Sequence, residues 1–166
     1  MIKESNLKTI VDIKHIHKDG LTLNIKANAD ELKQTAERLE IPKIKSLTAK
    51  VNIKPQSFIE VSGKINAQIE QQCVVSLETI HQNISTEFKE NFSSNKEDCS
   101  SDLDFDIEEV DCFFAENGKI DIGELIIQHL SLQIDPYPRK ENLTDPVVVE
   151  EKDTYHPFEK LKQLKK

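Results

Sequence analysis

Residues 47–69, LTAKVNIKPQSFIEVSGKINAQI, decide the fold class of this chain. Apolar and polar side chains alternate from 47 to 54, and the alternation resumes from Ile59 to Ile69 after the bend Pro55-Gln56-Ser57. A period of two is typical of a strand that buries one face and exposes the other to water. The stretch therefore predicts a long antiparallel hairpin with one wet face.

A strand and a helix are predicted before this hairpin. The apolar residues of 21–25 alternate as in a strand. Asn28 and Glu31 have the spacing of a capping box, which predicts a helix over about 29–39. Pro42 prevents that helix from continuing into the hairpin.

A further strand and a second helix are predicted after the hairpin. Residues 84–92 alternate as in a strand. Asp121 and Glu124 form a D-x-x-E pair, whose carboxylates suit the unpaired N–H groups at a helix start, and apolar residues at helical spacing follow as far as Leu130. Leu132 and Ile134 then alternate as in a short strand.

These signals together predict an α+β fold. We expect a mainly antiparallel curved sheet or a partly open barrel, with two main helices and a short C-terminal helical segment. Residues 1–140 are predicted to form a single domain that contains an acidic flexible loop at 93–106. Residues 141–166 are interpreted as a C-terminal linker and basic tail.

The formal net charge of −8 is concentrated in one segment. Residues 93–112 hold eight acidic residues and one lysine, whereas basic residues exceed acidic ones in 1–70. A mildly basic body with one acidic insert leaves a local anionic partner open. No apolar run approaches the ~20 residues that span a membrane, and no signal peptide is visible, so we expect a cytoplasmic protein.

Basic side chains are the main candidates for a binding function. Lys50, Lys54 and Lys64 fall on the wet face of the predicted hairpin, and Arg139-Lys140 follow a double-proline segment. Lysine and arginine contacts to phosphate give sequence-independent affinity for RNA, and Tyr137 offers a group that can stack on a base. Two interpretations stay open: an RNA-binding surface, or lysines and a surface connector that only keep the protein soluble.

The residues point away from catalysis and from a metal. A structural zinc site usually needs four ligands in two close pairs, and Cys73-Val74-Val75-Ser76 supplies only one thiol. Cys99 and Cys112 lie in the predicted loop and in a predicted edge strand. There is no glycine-rich phosphate loop and no hydrolase motif. We predict a non-enzyme without metal or cofactor, in which Cys73 is a structural thiol.

Three segments in a fixed order carry a resemblance to a known family. They are QCVVSLE at 72–78, DIGELIIQHLSLQIDPYPRKEN at 121–142 and HPFEKLKQL at 156–164. The set resembles the central cysteine motif, the C-terminal signature and the closing Pro-Phe-x-x-Leu-x-x-Leu of the YceD family, the large ribosomal RNA subunit accumulation proteins. The strand–helix–strand pattern of 21–53 also fits, so the resemblance covers nearly the whole chain.

The resemblance implies a role in biogenesis of the large ribosomal subunit, because the family is linked to accumulation of 23S rRNA. We expect a factor that binds 23S rRNA or its precursor, a large-subunit ribosomal protein, or both, and that binds neither DNA nor membranes. The alternative is a protein–protein adaptor that makes no direct contact with RNA. Many relatives carry C-x-x-C where this chain has Cys73 and Ser76, which puts in doubt any family mechanism that needs a metal.

Overall fold

The computed structural model describes residues 2–96 and 112–140. Most of the predicted loop at 93–106, the predicted tail at 141–166 and its helical segment lie outside these residues. The described elements are, in chain order, β1 (Ile2–Ser5), β2 (Ile10–Asp12), β3 (Leu21–Lys26), α1 (Ala29–Arg38), β4 (Lys43–Pro55), β5 (Ile59–Gln72), β6 (Thr79–Ser93), β7 (Cys112–Phe114), β8 (Lys119–Asp121) and α2 (Ile122–Ser131).

One mixed sheet organises the fold. Its strands lie in the order β1-β3-β4-β5-β6-β7, and a separate ribbon pairs β2 with β8. The four central strands are antiparallel to one another, whereas β1 and β7 join the two edges in parallel pairing. The predicted α+β class, the mainly antiparallel sheet and the two helices are confirmed. The sheet is not closed into a barrel within the described part of the chain.

The predicted hairpin forms with the predicted faces. Val51 lies opposite Gly63 and Ile53 lies opposite Val61, and the inward-facing aliphatic side chains of both strands are almost completely buried, except Ile59 beside the turn. Within β4 and β5 the register shifts only between Ile44 and Ser46. The hydrophobic pattern fixes this register because a slip by one residue would turn every buried side chain to water.

Both helices begin at the capping residues that the sequence indicates. The Asn28 side chain accepts from the Glu31 amide at 3.0 Å, and the Glu31 carboxylate accepts from the Asn28 amide at 2.8 Å, which completes a capping box. Asp121 accepts from the Glu124 amide at 2.9 Å. The helices cover the apolar face of the sheet, α1 on β4 and α2 on β5 and β6.

The short strand predicted at Leu132 and Ile134 is wrong. These residues continue the end of α2 as turns, in which the Leu132 amide donates to the Gln128 carbonyl at 3.3 Å and the Ile134 amide donates to the Ser131 carbonyl at 3.3 Å. Two apolar residues separated by one polar residue fit a helical C-terminus as well as a strand. The backbone carbonyls at the C-terminal end of α2 accept hydrogen bonds from this segment, which therefore forms turns instead of a strand.

Gly63 leaves room for an aromatic ring from the next strand. A Cβ atom at this position would lie 2.6 Å from Cε1 of Phe88, the residue opposite on β6. The Phe88 ring stacks on His129 of α2 with 4.6 Å between ring centroids. The glycine therefore permits close packing of α2 over the sheet.

Candidate functional site

The outward side of β4, β5 and β6 is a continuous polar surface, here called the polar face. The strand registers place its side chains in rows across the three strands. Its members are Thr48, Lys50, Asn52, Lys54, Glu60, Ser62, Lys64, Asn66, Gln68, Glu70, His81, Asn83, Ser85, Glu87, Lys89 and Asn91. Both helices pack on the opposite side of the sheet, so neither of them covers the polar face.

Three cross-strand ion pairs neutralise part of the charge on the polar face. The Lys64 ammonium lies 3.1 Å from Glu87, Lys89 lies 2.8 Å from Glu60, and Lys45 in the register shift lies 2.9 Å from Glu70. Hydrogen bonds from Lys89 and from Lys45 hold the pKa values of Glu60 and Glu70 below their ordinary range. These glutamates are therefore anionic at neutral pH.

Lys50 and Lys64 lie directly opposite each other on β4 and β5. Asn24 of β3 flanks Lys50 on its other side. Neither Lys50 nor Lys54 forms an ion pair with any residue that the structure describes. Around Lys50 is an open depression of about 550 Å³. It is lined by Lys50, Asn52, Ser62, Gly63, Lys64, Glu87, Phe88 and Lys89.

Tyr137, Arg139 and Lys140 lie apart from the lysine depression. The segment that carries them is bonded to the turn between β5 and β6 through the Pro138 carbonyl and the Lys140 ammonium. Lys54 is next to the turn between β4 and β5, at the opposite end of the 14-residue strand β5. At about 3.3 Å per residue, the two turns are roughly 45 Å apart. The six candidate residues therefore form two groups along the sheet, and their role in RNA binding stays a prediction.

The second group is fastened to the cysteine turn. The Val74 amide donates to the Pro138 carbonyl at 3.0 Å, and the Lys140 ammonium pairs with Glu78 at 2.8 Å. The pair raises the pKa of Lys140 and lowers that of Glu78. The side chain of Tyr137 remains 74% exposed. The fold thus brings together two of the segments on which the family resemblance depends.

Cys73 is fully buried in this turn and its sulfur is surrounded by donors. The Ser76 amide donates to Sγ at 3.4 Å, and the amides of Lys140 and Val75 also point to it. The Ser76 hydroxyl is shared between Sγ and the Glu78 carboxylate, which lies 3.4 Å from it. These hydrogen bonds, that of the Ser76 hydroxyl foremost, lower the pKa of the thiol to about 6. The turn therefore stabilises a thiolate.

No metal-binding cluster is found in 2–96 and 112–140, where no three His, Cys, Asp or Glu side chains are placed to hold an ion. The helices in these ranges are too short or too polar to span a membrane.

Sequence reasoning omitted Lys89 and Lys45 from the candidate residues. Lys89 lines the same depression as Lys50 and Lys64. Lys45 lies farther along the polar face, where it pairs with Glu70 near the turn between β5 and β6. The alternation in 84–92 already indicated which β6 side chains share a face. Placing them beside Lys64 requires the register between β5 and β6, which local patterns do not supply.

The fold and site define a small α+β protein that exposes one polar sheet face and fastens its C-terminal Pro-Tyr-Pro-Arg-Lys segment to a cysteine turn. The family model described as "Large ribosomal RNA subunit accumulation protein YceD" matches residues 61–165. The chain belongs to the YceD family. No curated protein and no solved structure matches the chain significantly.

Proposed function

We propose that this chain supports accumulation of 23S rRNA by binding the rRNA or its precursor through the polar face, without catalysing a reaction. The family description supports the process, since it names accumulation of the large ribosomal RNA. The location of the binding site is proposed from the positions of the lysines on the polar face. Lys50, Lys54 and Lys64 would contact phosphates, and Arg139 and Lys140 would extend the contact beyond the sheet, with Tyr137 as a stacking group.

The juxtaposition of Lys50 and Lys64 carries this proposal. Like charges directly opposite each other on neighbouring strands destabilise a sheet, and Glu87 compensates only Lys64. A phosphate placed in the depression would relieve the repulsion by bridging both ammonium groups. Asn52 and Ser62 line the same depression and can donate or accept hydrogen bonds with a ribose 2′-hydroxyl.

The substitution Lys50→Glu separates RNA binding from folding. It places a carboxylate opposite Lys64, so the repulsive pair becomes an attractive one and the fold should keep its stability. RNA crosslinking in cells followed by sequencing should recover 23S rRNA fragments with the wild-type protein and far fewer with Lys50→Glu. The control Lys14→Glu makes the same charge change at an exposed residue in the 3₁₀ turn after β2, which is not part of the polar face, and should leave recovery unchanged.

An adaptor without RNA contact is the second candidate. Exposed apolar side chains around the cysteine turn favour it, because Val74, Leu77 and Tyr137 are 45%, 66% and 74% exposed. The acidic segment could engage a basic large-subunit protein under this reading. Deleting residues 97–106 would then abolish recovery of the protein partner while Lys50→Glu would have no effect, and the RNA proposal predicts the reverse pattern.

A further inference from the structure

A groove separate from the polar face runs along α1. Its walls are the connection Asn6–Ile10 and the outer side of α1, and the first turn of α2 closes one end. The groove consists of two depressions of about 420 and 480 Å³. Both are lined by Lys8, Glu31 and Gln34, so they adjoin at these residues.

Glu31 lies where the two depressions meet and has an unused acceptor. Its side chain is only 4% exposed. Oε2 accepts from the Asn28 amide at 2.8 Å, whereas Oε1 is buried without a hydrogen-bond partner among the residues that the structure describes. A buried carboxylate oxygen without a donor costs stability. A retained cost of this kind points to a donor that arrives with a ligand.

The surroundings of Glu31 specify a cationic ligand with apolar neighbours. Glu31, Asp30 and Asp121 line the groove and together outweigh the single positive charge of Lys8. The positive charges of Arg38 and Lys33 are matched by their ion pairs with Glu124 and Glu37. The groove also exposes aliphatic side chains that a ligand can contact. Ile10 at 61% exposure and the half-buried Ile127 both line the groove.

The connection that forms one wall is held firmly against α2. The Ile122 amide donates to the Thr9 carbonyl at 3.0 Å, and Ile10 pairs with Asp121 in the small ribbon. Gly123 lets the Leu7 carbonyl lie where a Cβ atom would otherwise be, at 1.7 Å. A wall fixed in this way presents the groove before any ligand binds, which limits the ordering cost of association.

We propose that this groove binds a lysine- or arginine-bearing segment of a partner protein. The cationic side chain pairs with the carboxylate of Glu31 where the two depressions meet, and a neighbouring aliphatic side chain of the segment packs on Ile10 and Ile127. The negative lining disfavours RNA, so the groove and the polar face serve different partners. This activity goes beyond the proposed RNA contact and does not depend on it.

A fluorescent peptide of alternating lysine and leucine tests the groove in the full chain. Glu31→Gln keeps the acceptor that the capping box needs and replaces the anionic oxygen with a donor or a neutral acceptor. We expect this variant to bind the peptide roughly tenfold or more weakly than the wild type, and to keep or raise the midpoint of thermal unfolding. The control Glu116→Gln makes the same charge change at an exposed residue outside the groove and should bind as the wild type does.

Three outcomes would overturn the proposal. Equal affinity of Glu31→Gln and the wild type would mean that the peptide responds only to the overall negative charge. Equal affinity for a lysine-acetylated peptide would remove the cationic requirement. Much tighter peptide binding after deletion of residues 155–166 would show that the chain's own basic tail is the occupant. Glu31→Gln should leave RNA binding unchanged, so the outcome of this test does not depend on whether the polar face binds RNA.

Discussion

The guanidinium of Arg38, at the end of α1, and the carboxylate of Glu124, in the first turn of α2, form a two-bond ion pair with distances of 2.5 and 2.6 Å. It joins helices whose paired residues are 86 positions apart in the chain. Each charge also suits its own helix end, since cations are favoured at C-termini and anions at N-termini. The pair raises the pKa of Arg38 and lowers that of Glu124.

Arg38→Ala should lower the midpoint of thermal unfolding at neutral pH and low salt. The pKa of Glu124 is depressed in the folded state, so its contribution is present above the unfolded value of about 4.3 and is lost as the pH falls through the folded pKa. The difference between variant and wild type should therefore shrink in acid and in high salt. Lys33→Ala removes only the looser, more exposed pair with Glu37 at 4.0 Å and should have a smaller effect. A difference that is independent of pH would contradict this account of the pair.

The thiolate of Cys73 should make stability depend on pH in the neutral to alkaline range, whereas the pair of Arg38 and Glu124 acts in the acidic range. Its folded pKa of about 6 lies below the ordinary value of 9.0, so its contribution is complete above about pH 9, decreases as the pH falls, and is absent below about pH 6. Urea unfolding of the wild type should show a rise in stability between these limits that Cys73→Ala lacks. Ser76→Ala removes the hydroxyl donor and should give an intermediate rise. Parallel curves for the wild type and Cys73→Ala would show that no thiolate is stabilised.

Gly123→Ala should destabilise the protein, although glycine to alanine within a helix ordinarily stabilises it. The added Cβ would overlap the backbone carbonyl of Leu7, which cannot move without breaking the hydrogen bond between Ile122 and Thr9. Overpacking of this kind costs about 1–3 kcal/mol. Gln128→Ala, on an exposed position of the same helix, is the matched control and should change the free energy of unfolding little. Equal stability of Gly123→Ala and the wild type would mean that the contact is not maintained in solution.

Local patterns predict the elements of this fold whose stabilising contacts are also local. The hairpin of 47–69 follows from alternation, and the caps at Asn28 and Asp121 follow from short-range hydrogen bonds. The strand β1 could not be predicted in the same way. Ile2–Ser5 is four residues long and joins the sheet by parallel pairing with β3, a contact that no local pattern specifies.

The candidate site was predicted in part for the same reason. Alternation places Lys50, Lys54 and Lys64 on one face, as the structure has them. The ion pairs from Lys64 to Glu87 and from Lys89 to Glu60 depend on the register of β5 with β6, and the position of Tyr137 depends on how the chain returns after α2. The alternation therefore places Glu60 on the same face as Lys64, but it could not indicate which charged residues of β6 lie beside them, nor that Arg139 and Lys140 lie at the far end of the face.

Salt dependence is the most direct measurement of the proposed RNA contact. The affinity of the purified protein for a 23S rRNA fragment should fall as salt rises, with a slope of log affinity on log salt of about −0.7 to −0.9 for each phosphate contact. Lys50→Glu should reduce the magnitude of that slope by at least one contact while its thermal midpoint stays at or above that of the wild type. Lys14→Glu should match the wild type. An affinity that does not change with salt, or a Lys50→Glu variant that binds as the wild type does, would contradict RNA binding by the polar face.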